Sequence, residues 1–342
     1  MKLSCCLIIS LCIPSLAKAG PWLLPPNTLV LTGAYDYTQA AEEFLATNGR
    51  RVPFSLRGRY LSNSYTLGVR FGLSDALELE LRLPFRQVSY RSDPFLLIPN
   101  EEEGPGSFDA YQDKIINFNQ SISGLSDLSL ALRIKLLSGA LASSLELGLQ
   151  TPTGYRTPSG TFGDKPKSVS EFIERSGELA RPENVRDDIT LGDGAFAFRP
   201  LIHLGYGHSS GFFLRGASGV SLRLQGAGPL FIGELKAGQL VKPWLLIYAG
   251  LYYEQTLMSG RVIGVSVTAT DPTLPASEYR GLDNLEPIEV TLDRDQLQSP
   301  VGLLFRPLDD AELIFSYSPV IWGRNVAASH TVSVALNLIR PY

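Results

Sequence analysis

In several segments of this chain charged side chains recur at alternate positions, opposite leucines, and its chemistry lies in that spacing. Arg70, Glu78, Glu80, Arg82, Arg133, Lys135, Glu146, Arg199, Arg215 and Arg223 share one parity along their segments, with Arg86, Asp127, Glu234 and Lys236 beside them. Alternate residues of an extended strand point to one face. These groups therefore face one compartment, while Leu77, Leu79, Leu81 and Leu83 and their counterparts face another. Two readings of the charged face stand: a polar constriction with a mild preference for anions, or a cross-strand salt-bridge network that only fills the space.

Enzymatic chemistry fails on inventory. The only histidines are His203, His208 and His330. A lipid-facing hydrolase would need a His and a Ser two residues apart on one strand face, but Gly205 follows His203 and Val332 follows His330 at that distance. There is no G-x-S-x-G elbow, no H-E-x-x-H and no P-loop, and Gly226-Ala227-Gly228 lacks the third glycine and the helix of a dinucleotide site. Asp293 and Asp295, flanking Arg294, have the chemistry to ligate calcium in a loop, although a solvated turn accounts for them more economically. The sequence thus predicts no enzyme, no catalytic residue, no metal and no cofactor. An outer-membrane lipid hydrolase is the least favoured alternative.

The first 19 residues read as an export signal. Lys2 supplies a positive start, Leu7 to Ile13 a short apolar core, and Ala17-Lys18-Ala19 a small-x-small cleavage pattern before Gly20. Cys5, Cys6 and Cys12 all lie within it, which excludes a disulfide-stapled mature fold and a cysteine metal site. Removing Lys2 and Lys18 leaves 28 basic residues against 34 acidic ones, a balance of −6 that argues against nucleic acid as a partner. The organisation expected is a signal over residues 1–19 and one domain over 20–342.

The strands that must position the charges come in pairs. Tyr65, Leu67, Val69, Phe71 and Leu73 alternate with Ser64, Thr66, Gly68, Arg70 and Gly72, then turn at Ser74-Asp75 into the Leu77 to Leu83 strand. The pattern recurs over 128–136 and 145–149, and again over 196–206 and 214–224. Further strands near 28–38, 231–239, 244–255, 297–305, 312–320 and 329–339 bring the expected number to about 12. Short turns at 74–75, 138–142, 207–211, 240–243 and 307–310 alternate with long connectors over 39–59, 91–124, 153–188 and 257–296. No apolar run after the signal approaches the ~20 residues of a membrane helix. The fold class predicted is all-β: a transmembrane, antiparallel, up-and-down β-barrel of about 12 strands, in the outer membrane. A soluble sandwich would also alternate, but it would keep its connections short and its arginines over an outer, wet face.

Three short motifs carry a family resemblance. Gly124-Leu125-Ser126-Asp127 leads into a strand, Pro152-Thr153-Gly154 ends the next, and Leu191-Gly192-Asp193-Gly194 opens another. Over about Gly72 to Arg223 the chain resembles the outer-membrane β-barrel transporters of the phenol-degradation meta-pathway type. That resemblance implies a channel for small, hydrophobic or aromatic molecules and brings no catalytic residues with it. The alternative is a structural or adhesive barrel with a plugged lumen. Expected partners are outer-membrane lipids, a small-molecule solute and the barrel-assembly machinery. The last would read the final strand, where Val332, Val334, Leu336 and Leu338 alternate before Arg340-Pro341-Tyr342. In the connector after residue 153, Val169, Phe172 and Ile173 line one side of a short amphipathic helix over 168–180, either a gate folded into the mouth or a surface helix lying on neighbouring loops.

Overall fold

The computed structural model of the protein describes residues 21–96, 115–116, 119–155, 158–160, 166–174, 189–274 and 285–341. The expected signal over 1–19, the terminal Tyr342 and the side chain of Ile173 lie outside the described residues. Twelve antiparallel strands form the wall. They are β1 (Thr28–Ala40), β2 (Arg59–Ser74), β3 (Leu77–Arg91), β4 (Gln120–Leu125 and Leu128–Leu137), β5 (Leu141–Thr151) and β6 (Ala197–Gly207). The second half is β7 (Phe212–Arg223), β8 (Leu230–Lys242), β9 (Leu245–Thr256), β10 (Asp295–Gln298 and Val301–Leu308), β11 (Ala311–Arg324) and β12 (His330–Pro341). Each pairs with the next, and β12 returns to β1 in register from Thr28 opposite Pro341 to Gln39 opposite His330. The sheet is closed.

Burial is inside out relative to a soluble protein. Leu67 is 67% exposed and Ile202 52%, whereas Glu78 is 0% exposed. Leu79, Leu81, Leu130, Phe198, Leu214, Leu251, Leu303 and Phe315 continue the exposed apolar belt. In water that belt would forgo ~25 cal/mol per Å² of apolar surface, and soluble monomers rarely expose a patch of such extent. No helix among the described residues is long and apolar enough to cross a membrane. The strands are what match a bilayer.

Prolines mark the two places where a wall strand is itself broken. β4 breaks at Ser126-Asp127, where Ser126 donates its N–H to Pro84 O of β3 at 2.8 Å. β10 breaks at Ser299-Pro300, opposite Pro319 of β11, whose carbonyl accepts the Ser299 N–H at 3.1 Å. Proline has no N–H to give to a ladder, so it is tolerated at such irregularities.

One rim carries only short turns; the other carries the long connectors. On the loop rim, Glu42–Phe44, Arg51–Pro53 and Val326–Ala327 form a small sheet, and Gly264–Ala269 pairs with Leu285–Val290 as a hairpin. Helix α1 (Val169–Glu174) packs on the Leu285–Val290 strand with Phe172 fully buried and Val169 half-buried, and Lys167 Nζ reaches Ile263 O at 3.1 Å. It lies against an outer hairpin, on the loop rim.

The faces make a sharp test. Leu81 points outward and Arg82 inward, so Leu81→Arg near mid-membrane should cost about 2 to 4 kcal/mol of barrel stability. Arg82→Ala should leave urea unfolding in lipid vesicles nearly unchanged. Equal losses from the two would show the faces to be reversed.

Candidate functional site in the barrel lumen

At mid-height, the lumen is organised around Arg133. Register places it directly opposite Glu78 on β3 and Glu146 on β5. Its guanidinium reaches Glu78 Oε1 at 3.2 Å, Glu80 Oε2 at 2.8 Å and Glu146 Oε2 at 2.8 Å. Arg70 pairs with Glu78 at 2.9 Å, and Arg82 Nε donates to Glu80. His203 Nε2 lies 3.1 Å from Glu146, while Glu234 gathers Arg215 at 3.2 Å and Lys236 at 3.5 Å. Burial makes an unpaired charge costly, so oppositely charged cross-strand partners are what permit this density. Between these groups the lumen keeps a chamber of about 300 Å³ bounded by β3 to β9, with a smaller cavity of about 120 Å³ beside it.

At the loop rim, residues 189–195 run inward across the lumen. Leu191 O accepts hydrogen bonds from Arg86 Nη1 at 3.1 Å and from the Ser126 hydroxyl. Asp127 accepts the Asp193 N–H at 3.1 Å, the Gln150 amide at 2.7 Å and the Tyr155 hydroxyl, and Tyr155 in turn accepts the Gly194 N–H at 2.6 Å. A Cβ on Gly192 would stand 2.4 Å from Asp127 Oδ2, so glycine permits this approach without displacing that carboxylate. On its other side Asp193 pairs with Arg294 at 2.6 Å and Arg223 at 3.4 Å, and Arg294 continues to Glu254 of β9 at 2.9 Å. From Asp127 at the β4 break to Glu254 on β9 is five strands of twelve, nearly a diameter. The segment is a strap across the mouth.

Charge holds the strap. Burial opposes ionisation of Asp193, and the Arg294 and Arg223 guanidiniums overcome it, keeping the carboxyl below its ordinary range. The Asp193 and Glu254 carboxylates raise Arg294 in return. Burial and then Asp127 push the Tyr155 phenol up, so it remains a donor.

The turn rim is occupied by the chain's own N-terminal segment. Pro21 is buried, and Trp22 donates Nε1–H to Gly139 O at 3.2 Å in the β4–β5 turn. A Cβ on Gly205 of β6 would meet Pro21 Cγ at 2.4 Å and Trp22 Cη2 at 2.5 Å. Leu24 is buried and gives its N–H to Glu78 Oε2 at 2.7 Å. Asn27, at φ 56, then turns the chain into β1; asparagine is among the residues that accept this left-handed conformation. Glu78 thus serves both the charge network and the segment threaded through it. On the opposite wall of this half, Phe213, Leu246 and Leu304 pack with Tyr248 and Ile314 into an apolar cluster inside the lumen.

Of the lumen candidates read from parity, Arg70, Glu78, Glu80, Arg82, Arg133, Glu146 and Arg215 join the mid-lumen network. Arg199 also borders the chamber. Lys135 faces inward nearer the turn rim, and Arg223 belongs to the strap, where it also donates to Gly228 O at 2.7 Å and Leu292 O at 3.1 Å. Parity reasoning missed the inward pair Arg306–Glu312, 3.0 Å apart, and the whole Pro21–Asn27 segment. It also passed over His208 and Ser210, whose spacing meets the hydrolase requirement. Nδ1 of His208 lies 2.9 Å from Ser210 Oγ and accepts the Ser210 N–H at 3.2 Å in an exposed turn. No carboxylate among the described residues orients that imidazole, so the pair caps a turn. Asp293 binds the Gly260 N–H at 2.9 Å and Asp295 binds Arg324 at 2.9 Å, so protein donors occupy both carboxylates considered for calcium.

No protein-family model matches the chain, and no curated protein matches it. Among solved structures, the COG4313 outer membrane channel from Pseudomonas putida F1 is similar at a TM-score of 0.58 and 12% identity, over 93% of this chain and 97% of that one. The TodX deltaS2S3 mutant monoaromatic hydrocarbon channel gives 0.43 at 10% identity over 96% and 94%, and the KdgM porin 0.42 at 6% over 90% and 98%. The likeness to the first is one of fold: a closed barrel of the outer-membrane kind.

Each closure predicts its own release. Asp193→Ala removes charge-assisted bonds worth about 2 kcal/mol from the closed strap, a shift of ~30-fold towards open, and single-channel conductance should rise. Because the folded Asp193 carboxyl is lowered, its contribution is present above the ordinary aspartate value and is lost as pH falls through the folded one. Wild-type conductance should therefore stay flat from neutral pH to about 4 and climb only below that. Asp193→Ala should lack that climb. Deleting residues 21–26 should enlarge conductance independently of pH.

Proposed function

We propose that the protein is a narrow outer-membrane channel that admits small organic solutes with hydrophobic or aromatic bodies in single file. The observation that carries this reading is a chamber of about 300 Å³ held inside a closed barrel between two non-covalent closures, a strap and an N-terminal segment, neither part of the wall. Twelve strands at ~4.8 Å spacing and ~40° tilt give a backbone diameter of roughly 24 Å, of which inward side chains take about half. The apolar cluster of Phe213, Leu246 and Leu304 and the chamber's Leu201, Ile232 and Tyr252 suit a solute that is not purely polar.

In this reading residues 1–19 direct export and are removed, the turn rim and both termini face the periplasm, and the loop rim faces outward. The lipid bilayer covers the leucine belt, and the alternation of Val332 to Leu338 on β12 serves the assembly machinery. The protein acts without a catalytic residue or cofactor. The density of ion pairs in the lumen favours the second reading, a plugged structural barrel whose outer loops do the work. Planar bilayers separate the two. Discrete conductance steps that grow on deletion of residues 21–26 are expected for a channel, whereas silence of both proteins with normal assembly would leave the structural barrel.

A further inference from the structure

We infer that the lumen chamber is a binding site for a small organic monoanion, a carboxylate on a compact apolar or aromatic body, held by Arg82 and Arg199; this deepens the channel reading and rests on it. Charge is the first ground. Arg70, Arg133, Arg215 and Lys236 are tied to Glu78, Glu80, Glu146 and Glu234, four cations to four carboxylates. Arg82 and Arg199 remain as an excess of two. Arg82 commits only its Nε to Glu80, which is already shared with Arg133, and its side chain is 59% exposed although it points into the barrel. Arg199 has no carboxylate partner among the described residues; its one hydrogen bond is to Gln150 Oε1 at 3.4 Å. Both border the same chamber.

The shape of the wall is the second ground. Arg199, Leu201 and His203 are successive inward residues of β6, with Leu201 buried between the two polar groups. Ile232, also buried, and Tyr252 continue this apolar side, and the Tyr252 hydroxyl is already spent on Glu254 at 2.5 Å, leaving its ring to the chamber. Ala131, Gly148 and Ala217 bring no bulk to the remaining sides.

The ligand class follows from the two together. A guanidinium presents a planar fork that a carboxylate fits with two parallel bonds, and such bonds are strong where water is scarce. A neutral hydrocarbon would cover the arginines without pairing them, which is costly. Chloride would pair them and leave the apolar wall unused. A monoanion with an apolar body satisfies both.

Calorimetric titration of the full-length protein in detergent tests this, with sodium benzoate, benzyl alcohol and sodium chloride as probes at constant ionic strength. Benzoate should bind at least about tenfold more tightly than benzyl alcohol, and Arg199→Ala and Arg82→Ala should each lose about tenfold for benzoate and little for the alcohol. Heat-modifiable gel mobility checks folding of both variants, and Arg82→Ala is the safer because its side chain is the more exposed. Equal binding of benzoate and benzyl alcohol, wild-type affinity in both folded variants, absence of benzoate binding, or displacement of benzoate by equimolar chloride would each overturn the site. Binding as expected with a silent bilayer would overturn the channel reading and leave the site standing. Conductance without selective benzoate binding would do the reverse.

Discussion

A sheet in lipid has no water to satisfy its edge, and this constraint governs everything else in the molecule. Each N–H and C=O at membrane depth needs a partner within the wall, so β12 must close on β1, and closure admits only two environments, lipid and lumen. Period two then does the sorting. Leu79 and Leu81 go out, and Glu78, Glu80 and Arg82 go in, because neighbouring residues of one strand have no other choice. The irregular residues fall where the ladder is already interrupted, with Pro84 beside the Ser126 break and Pro319 beside Pro300.

Closure also concentrates charge. Side chains that would be spread over the wet face of a soluble sheet are brought towards a common axis, and desolvation makes each expensive unless another strand supplies its partner. Arg133 meets that requirement with three carboxylates from the two flanking strands. Glu78 meets it with two arginines and a backbone N–H from residue 24, which makes the N-terminal segment a member of the network as well as an obstruction. The segment and the network therefore stabilise each other: withdrawing Leu24 leaves Glu78 one donor short. A fully balanced set would be inert filling; the excess at Arg82 and Arg199 is what gives this lumen chemistry to offer a solute.

What could be read from sequence divides along the same line. Strands β2 to β7 were legible because Leu77 to Leu83 and its relatives repeat with period two, and inward charges shared a parity that survived folding. Arg306 and Glu312 escaped that reading because their neighbours break the rule: Leu304 and Ile314 face inward with an apolar cluster, so the polar face of β10 and β11 has no clean alternation. Residues 21–27, with three prolines and no period, carry no pattern of their own, and their place in the lumen is decided by what they meet at Gly205 and Glu78, far away in the chain. The motifs at Gly124–Asp127, Pro152–Gly154 and Leu191–Gly194 stand apart in the sequence. They are one assembly: Thr153 Oγ1 donates to Leu125 O at 2.8 Å, Ser126 to Leu191 O, and Asp127 accepts from Asp193. Glycine and aspartate there serve a strap, a role visible only once the barrel brings residues 66 apart within hydrogen-bond reach.

The two closures differ in kind, and the difference bears on how such a barrel could open. The strap is held by charge across the mouth, from Asp127 through Asp193 to Arg294 and Glu254, so it responds to protons that compete for the Asp193 carboxylate and to salt or an anion that competes for Arg294 or Arg223. The N-terminal segment is held by packing of Pro21, Trp22 and Leu24 and by three hydrogen bonds, Trp22 to Gly139, Leu24 to Glu78 and Asn27 to Gly72, so it depends less on ionic strength than the strap does. An anion arriving from the loop rim would therefore meet the responsive closure first and the charged chamber next. The packed segment stands last, where only rearrangement around Glu78 can move it.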